Sequence, residues 1–383
     1  MEHSSYIELS KSALRQNLDF LRSVMGSDTN ISSVVKGNAY GHGVREFVPM
    51  ACGCGINHFS VFSADEALNV SESCDEDFTL MIMGFVEGDE LAWAIENDVE
   101  FFVFDKIRFD DAIGYAKKIG KKAKMHVEVE TGMNRTGFNE VQLTELIPAI
   151  QNNLDVVEFK GICTHYAGAE SISNYLRIKR QYKKYKQACI KFERSGLKPV
   201  LKHTACSAAA MTYPKSRMDL ARIGIMQYGL WPGPETFIQY VAKKEDKKDP
   251  LRRVINWKSK VMSTKEVASG EFIGYGTSFL AHVNMKIAVV PVGYANGYSR
   301  SLSNQGRVII NGHRVAVVGR VNMNMLVADI SEIPHTRKGD EVVLIGKQED
   351  MHLSIASFSE YSNQLNYELL TRLPKNIPRK VID

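Results

Sequence analysis

The run Ile31-Ser32-Ser33-Val34-Val35 ends in Lys36, and Gly37-Asn38-Ala39-Tyr40-Gly41-His42 follows at once. An amine at the mouth of a buried apolar strand is costly unless it reaches water or has a chemical task. Two readings stay open at this point: a lysine that snorkels to solvent, and an amine that forms a Schiff base with an aldehyde cofactor. Other groups able to do chemistry recur where apolar runs stop. Glu128 lies near the end of one run, with Arg135 in the following loop Thr131-Gly132-Met133-Asn134-Arg135-Thr136-Gly137. His165 ends the next, Ser207 follows another, and Arg222, Gly224 and Ile225 close the last.

The elements that must position these groups alternate regularly. Strand candidates lie at Ser32–Lys36, His58–Phe62, Thr79–Gly84, Glu100–Phe104, Met125–Val129, Phe159–Thr164, Val200–Thr204 and Leu220–Gly224, with amphipathic stretches such as Ala64–Val70, Leu91–Asn97 and Tyr175–Glu193 between them. Strand–helix alternation implies parallel strands, and eight such units predict an α/β fold of the (β/α)8 TIM-barrel type. Chemistry on that fold gathers at the C-terminal strand ends, where all the residues named above are expected to fall. Phosphate sites are commonly built there after strands seven and eight. Ser207 offers a hydroxyl at that place, and Gly224 and Ile225 offer backbone N–H groups at a helix start. A phosphate cradle combined with a Schiff-base lysine points to pyridoxal 5′-phosphate.

The charged stretch Lys243-Lys244-Glu245-Asp246-Lys247-Lys248-Asp249-Pro250 breaks the alternation. Beyond it come short strand-like segments, and Asn311-Gly312 is a strong hairpin signal. The expected division is a barrel over residues 11–239 and a β-rich C-terminal domain over 240–383, to which a strand from residues 1–10 can add. The 383 residues are 44% hydrophobic and 24% charged, with a net charge of +4 spread along the chain. That composition fits a globular protein and calls for no nucleic-acid partner. The six cysteines form no C-x-x-C pair, so free thiols and no metal site are expected. No apolar run reaches membrane-spanning length and no signal-peptide pattern opens the chain, so a cytoplasmic location is expected.

Read together, the motifs resemble those of the alanine racemase family, the fold-type III pyridoxal-phosphate racemases, over nearly the whole chain. Val34–Gly43 is similar to the family's cofactor-lysine motif. Ala221-Arg222-Ile223-Gly224-Ile225 with Tyr228-Gly229-Leu230 resembles the segment facing the pyridine ring. Ile273-Gly274-Tyr275-Gly276 resembles the segment with the second catalytic base, and Pro291–Tyr298, Gly319–Met323 and Asn366–Arg372 resemble three further landmarks.

The resemblance implies a homodimer with shared active sites, in which the β-rich domain contributes the second base across the dimer. Lys36 and Tyr275 would act on opposite faces of alanine. Tyr40, Ser207, Gly224, Ile225 and Tyr367 would hold the cofactor phosphate. Arg222 would face the pyridine nitrogen, braced by His203 and linked through His165 to Tyr275. Arg135 and the backbone N–H of Met323 would orient the substrate carboxylate, and Tyr294 and Tyr367 would narrow the entrance. The implied role is D-alanine biosynthesis, a source of peptidoglycan precursor. Glu128 stands where many relatives carry a carbamylated lysine; its own carboxylate is expected to serve Arg135 in its place. Asn296, Asn322, Asn324 and Cys206 also depart from the usual residues, which leaves serine or a wider set of small amino acids as alternative substrates. A decarboxylase of the same fold type, which would place a carboxylate at the pyridine nitrogen, and a non-catalytic cofactor-binding protein are the remoter readings.

Overall fold

The structure, a computed structural model, describes residues 3–355 and 366–383. It divides into two compact units. The barrel unit comprises Ala13–Gly37 and Val48–Arg252; the β unit comprises Met1–Ser12, Asn38–Phe47 and Arg253–Asp383. A single boundary along the chain does not describe this division, because residues 38–47 belong with the C-terminal part.

In chain order the first strand is β1 (Ser5–Ser10), followed by β2 (Asn30–Val34), β3 (His58–Ser63), β4 (Thr79–Phe85), β5 (Glu100–Val103), β6 (Ala123–Glu128), β7 (Val157–Cys163), β8 (Leu201–His203) and β9 (Leu220–Ile223). The last eight of these form one parallel sheet in the order β8-β7-β6-β5-β4-β3-β2-β9. Between β8 and β9 the ring is closed by sparse backbone bonds: Asp219 N–H to Lys202 O at 3.1 Å and Arg222 N–H to Ala205 O at 2.9 Å. This is the expected nearly closed (β/α)8 barrel. β5 and β9 are buried along their whole length, as parallel strands covered on both faces must be. Helices form where amphipathic stretches meet start signals. Lys106–Ile119 is capped by the Asp105 carboxylate accepting from Arg108 N–H and stops at Gly120, in a left-handed conformation.

The β unit is built on a different rule. β1 pairs antiparallel with Ile255–Lys260, so the opening segment does add a strand to the C-terminal part. Arg307–Ile310 and His313–Ala316 form the expected hairpin. Its two turn residues, Asn311 and Gly312, have φ of 49° and 73°, which is why that dipeptide is preferred there. A short helix, Asn366–Thr371, lies near the end of the chain. No helix among the described residues is long and apolar enough to cross a membrane.

One strand end differs from expectation in a way that matters. β2 stops at Val34, not at Lys36. After Lys36 the backbone turns left-handed: Gly37, Asn38, Ala39, Tyr40 and Gly41 have φ of 62°, 54°, 53°, 52° and 81°. Left-handed backbone costs an L-residue about 1–2 kcal/mol. Asn38 tolerates it best; Ala39 and Tyr40 are held there by their surroundings. Within the β unit, the Arg379 guanidinium donates to Gly41 O at 2.9 and 3.2 Å. A Cβ on Gly41 would lie 1.9 Å from Leu370 O. Gly41→Ala is therefore expected to destabilise the protein by about 2–4 kcal/mol in chemical denaturation. Gly339, with φ 95° and nothing within 4 Å of a Cβ, isolates the conformational part; its Ala variant should cost about 1 kcal/mol. Equal losses in the two variants would refute the close approach.

Buried histidines set the acid stability. Burial pushes His42 down from 6.5 to about 3, outweighing bonds to the Tyr40 and Ala39 carbonyls. Burial also lowers His126 and, together with the Arg222 charge, His203. The unfolded chain binds these protons first, so stability is complete above pH 6.5 and falls as the pH drops toward 3. At pH 5 the loss from one such histidine is about 2 kcal/mol. Denaturation midpoints that stay flat between pH 7 and 5 would contradict this.

Candidate active site

In the barrel unit, Lys36 begins the left-handed turn just past β2. Glu66 anchors the turn, its carboxylate accepting Gly37 N–H at 2.6 Å and Phe62 N–H at 2.9 Å. Gln227 ties the end of β2 to the end of β9: it accepts from Ser33 Oγ at 2.7 Å and donates to Val34 O and Ile223 O, each at 3.1 Å. Tyr228 Oη donates to the same Val34 O at 3.0 Å. The Lys36 side chain is exposed. Even so, crowding by the surrounding protein and the Arg135 charge lower its pKa, against the opposing pull of Glu66. A lysine near an aldehyde is nucleophilic only as the free amine, and both lowering effects favour that form.

Arg222, on β9, is buried and almost fully bonded. Its NH1 meets His203 Nδ1 at 2.5 Å and donates to His203 O at 3.1 Å; its NH2 donates to Thr164 O at 2.9 Å. His203 thus contacts Arg222 through both its ring and its backbone carbonyl. His165, past the end of β7, is half-buried; burial and the Arg222, Arg135 and Lys36 charges push it down to about 3. Its imidazole is neutral at physiological pH, so one ring nitrogen can accept a hydrogen bond.

Ser207 opens the helix Ser207–Thr212, and Gly224 precedes the turn Ile225–Tyr228. They meet directly: Gly224 N–H donates to Ser207 Oγ at 3.0 Å. Neither residue preceding these two helical starts, Cys206 nor Gly224, supplies a side-chain oxygen as a cap. Amide donors at two adjoining helical starts, a serine hydroxyl and an amine of lowered pKa suit a phosphorylated aldehyde. The donor set therefore fits pyridoxal phosphate.

Glu128 is buried on β6 and accepts from Thr136 Oγ1 at 2.7 Å. Burial raises its carboxyl, countered by Thr136, Arg135 and Arg222. Among the described residues it forms no hydrogen bond or ion pair with Arg135, and the Arg135 charge reaches it only as a longer-range electrostatic effect. Its carboxylate is spent on Thr136, eight residues on in the chain.

In the β unit, Tyr40 and Tyr367 make an edge-to-face ring contact at 6.4 Å. The segments Pro291–Tyr298 and Gly319–Met323 are sewn together, Tyr294 N–H to Asn322 O at 3.0 Å and Ala295 N–H to Met323 O at 2.9 Å. Tyr294 lines a cleft with Ser299, Arg300 and Arg372. Tyr275 is 70% exposed, between Gly274 and Gly276 at φ 78° and 66°. Met323 and Phe272 are 56% and 51% exposed. Glu66, Gln227, Glu100 and His126 were not singled out from the sequence. A charged residue opening an otherwise apolar strand, as with Glu100 before Phe101-Phe102-Val103, is a local signal; nothing local marks His126, Glu66 or Gln227.

Comparison with known proteins agrees with this geometry. Residues 9–232 match the family described as alanine racemase, N-terminal domain, and residues 254–381 match alanine racemase, C-terminal domain. An alanine racemase of Leptospira interrogans is 30% identical, over 100% of this chain and 96% of its own length. The crystal structure of the alanine racemase from D-cycloserine-producing Streptomyces lavendulae superposes with a TM-score of 0.91 at 26% identity, covering 100% of this chain and 98% of that one. The Bartonella henselae alanine racemase with covalently bound pyridoxal phosphate gives 0.84 at 25% identity, with full coverage of both chains. The chain belongs to the alanine racemase family, pyridoxal-phosphate-dependent isomerases that interconvert L- and D-alanine.

Proposed function

We propose that Lys36 and Tyr275 of the partner subunit are the two bases of this racemase, acting from opposite faces of the alanine α-carbon in a homodimer. The observation that carries the first assignment is an exposed lysine of lowered pKa at the mouth of the barrel strand β2. The second is supported by the exposure of Tyr275, at 70%, and of Phe272 and Met323, large side chains that a second copy of the chain would cover.

Pyridoxal phosphate, when bound through Lys36, draws electron density from the substrate α-carbon and makes its proton acidic. Lys36 Nζ as free amine removes or returns that proton on one face. Tyr275 Oη of the partner subunit does so on the other, and the neutral imidazole of His165 accepts its hydrogen bond and polarises it. On the barrel unit, Ser207, Gly224 and Ile225 would hold the phosphate. Arg222 can only donate hydrogen bonds, so it would meet the pyridine nitrogen of a bound cofactor as a donor and would not supply the carboxylate that keeps such a nitrogen protonated. Arg135 has no hydrogen-bond or ion-pair partner among the described residues and is available to the substrate carboxylate, with the backbone N–H of the partner subunit's Met323 beside it. Glu128 supports Arg135 through space, and Tyr294 with Tyr367 borders the entrance.

L-Alanine in D₂O should gain α-deuterium and D-isomer together. Lys36→Ala should abolish turnover, and Tyr275→Phe should lower it about 10²–10⁴-fold, unequally in the two directions. Mixing these two inactive variants should restore about a quarter of the activity, since half of the statistical dimers are hybrids with one intact shared site. No restoration would refute the shared site. Glu128→Gln should raise KM for alanine with kcat nearly unchanged; an unchanged KM would remove Glu128 from substrate binding.

A further inference from the structure

The bonds that hold Arg222 do not end at His203. His203 Nε2 lies 2.8 Å from His126 Nδ1, and His126 Nε2 lies 2.8 Å from Glu100 Oε2. Glu100, His126, His203 and Arg222 are all buried. They come from β5, β6, β8 and β9, so this polar chain crosses between strands in a fold whose interior is ordinarily filled by apolar layers. The intervening strand β7 makes room for it. Gly161 has no side chain where a Cβ would lie 2.2 Å from His126 Nδ1.

The proton positions along the chain follow from one fact. A guanidinium has no acceptor, so the His203 nitrogen it faces, Nδ1, must be the acceptor. The single proton of a neutral His203 is then on Nε2 and is donated to His126 Nδ1. His126 carries its proton on Nε2 and donates it to the Glu100 carboxylate. Burial keeps both imidazoles neutral, since it lowers His126 and, with the Arg222 charge, lowers His203. Burial alone would raise the Glu100 carboxyl, but the bond from His126 and the nearby His58 ring hold it well below the usual range. The remaining charged or titratable groups facing Glu100 are Lys160 Nζ, at 3.3 Å from Oε1, and His58 Nε2, at 3.8 Å from Oε2.

We infer that Glu100 is a positioning residue for Arg222: through His126 and His203 it forms a buried relay, every bond polarised toward the carboxylate, that anchors the guanidinium facing the cofactor ring. The inference rests on the proposed placement of Arg222 against that ring. A buried guanidinium needs both its directionality and its charge met within the protein. The relay supplies a formal negative charge at the far end and fixes which donors Arg222 has left to offer.

Neutron diffraction from the holoenzyme reads the relay directly. Deuterons on Nε2 of both His126 and His203, and on neither Nδ1, are expected. An imidazolium or an Nδ1 deuteron at either histidine overturns the inference. Glu100→Leu and Gly161→Ala should each weaken pyridoxal phosphate binding, followed by its visible absorption, about tenfold, the size seen when the outer partner of a metal-bound histidine is lost. Glu100→Gln keeps an acceptor and should stay within about threefold of the parent. Arg222→Lys separates the two readings. If it weakens binding while Glu100→Leu does not, the relay inference fails alone. If Arg222→Lys leaves affinity and absorption unchanged, Arg222 does not face the ring, and both fall together.

Discussion

The constraint on which the site depends is a permanent positive charge placed inside the barrel. Arginine cannot shed its proton at physiological pH, so the fold must surround Arg222 with acceptors. The carbonyls of Thr164 and His203 and the ring of His203 do so from the ends of neighbouring strands. Because those acceptors come from β8 and the segment after β7, the guanidinium also ties together the part of the ring where backbone pairing is thinnest. The same charge then governs its neighbours: it helps keep His165 and His203 neutral. One buried cation thus supports barrel closure and keeps two histidines neutral.

Around it, polar residues divide their labour by distance from the strand ends. Glu66 and Gln227 address the backbone: one holds the start of the Lys36 turn, and the other locks β2 to β9. Glu128 is a contrasting case. A buried carboxylate beside two arginines invites the reading of a salt bridge, yet its only close side-chain partner among the described residues is a threonine hydroxyl. A carboxylate that keeps one neutral hydrogen bond and feels two cations at longer range contributes field without fixing the cations in place.

Much of this was legible in the sequence, for identifiable reasons. Eight parallel strands are visible because strands covered on both faces must be apolar, and each is followed by a helical period. The hairpin at Asn311-Gly312 is visible because few residues accept positive φ. Lys36, Arg222, Ser207 and Gly224 stood out through their motifs. What escaped were groups whose meaning lies in distant partners: Gln227 finds Ser33 across 194 positions, and His126 finds His203 across 77. Glu100, by contrast, broke an apolar strand and was overlooked because a charged residue at a strand start usually faces water. The end of β2 was misplaced because Val35 and Lys36 have strand-like neighbours, while the left-handed turn after them has no periodic signature.

That turn also bears on when the lysine becomes usable. Its residues do not favour the conformation by themselves, and the groups that hold Gly41 come from Leu370 and Arg379, which follow every residue of the barrel unit in the chain. A nascent chain can therefore complete much of its barrel while the backbone behind Lys36 lacks its final support. Until those residues are in place, the turn that follows Lys36 keeps its sequence without the contacts that hold it left-handed.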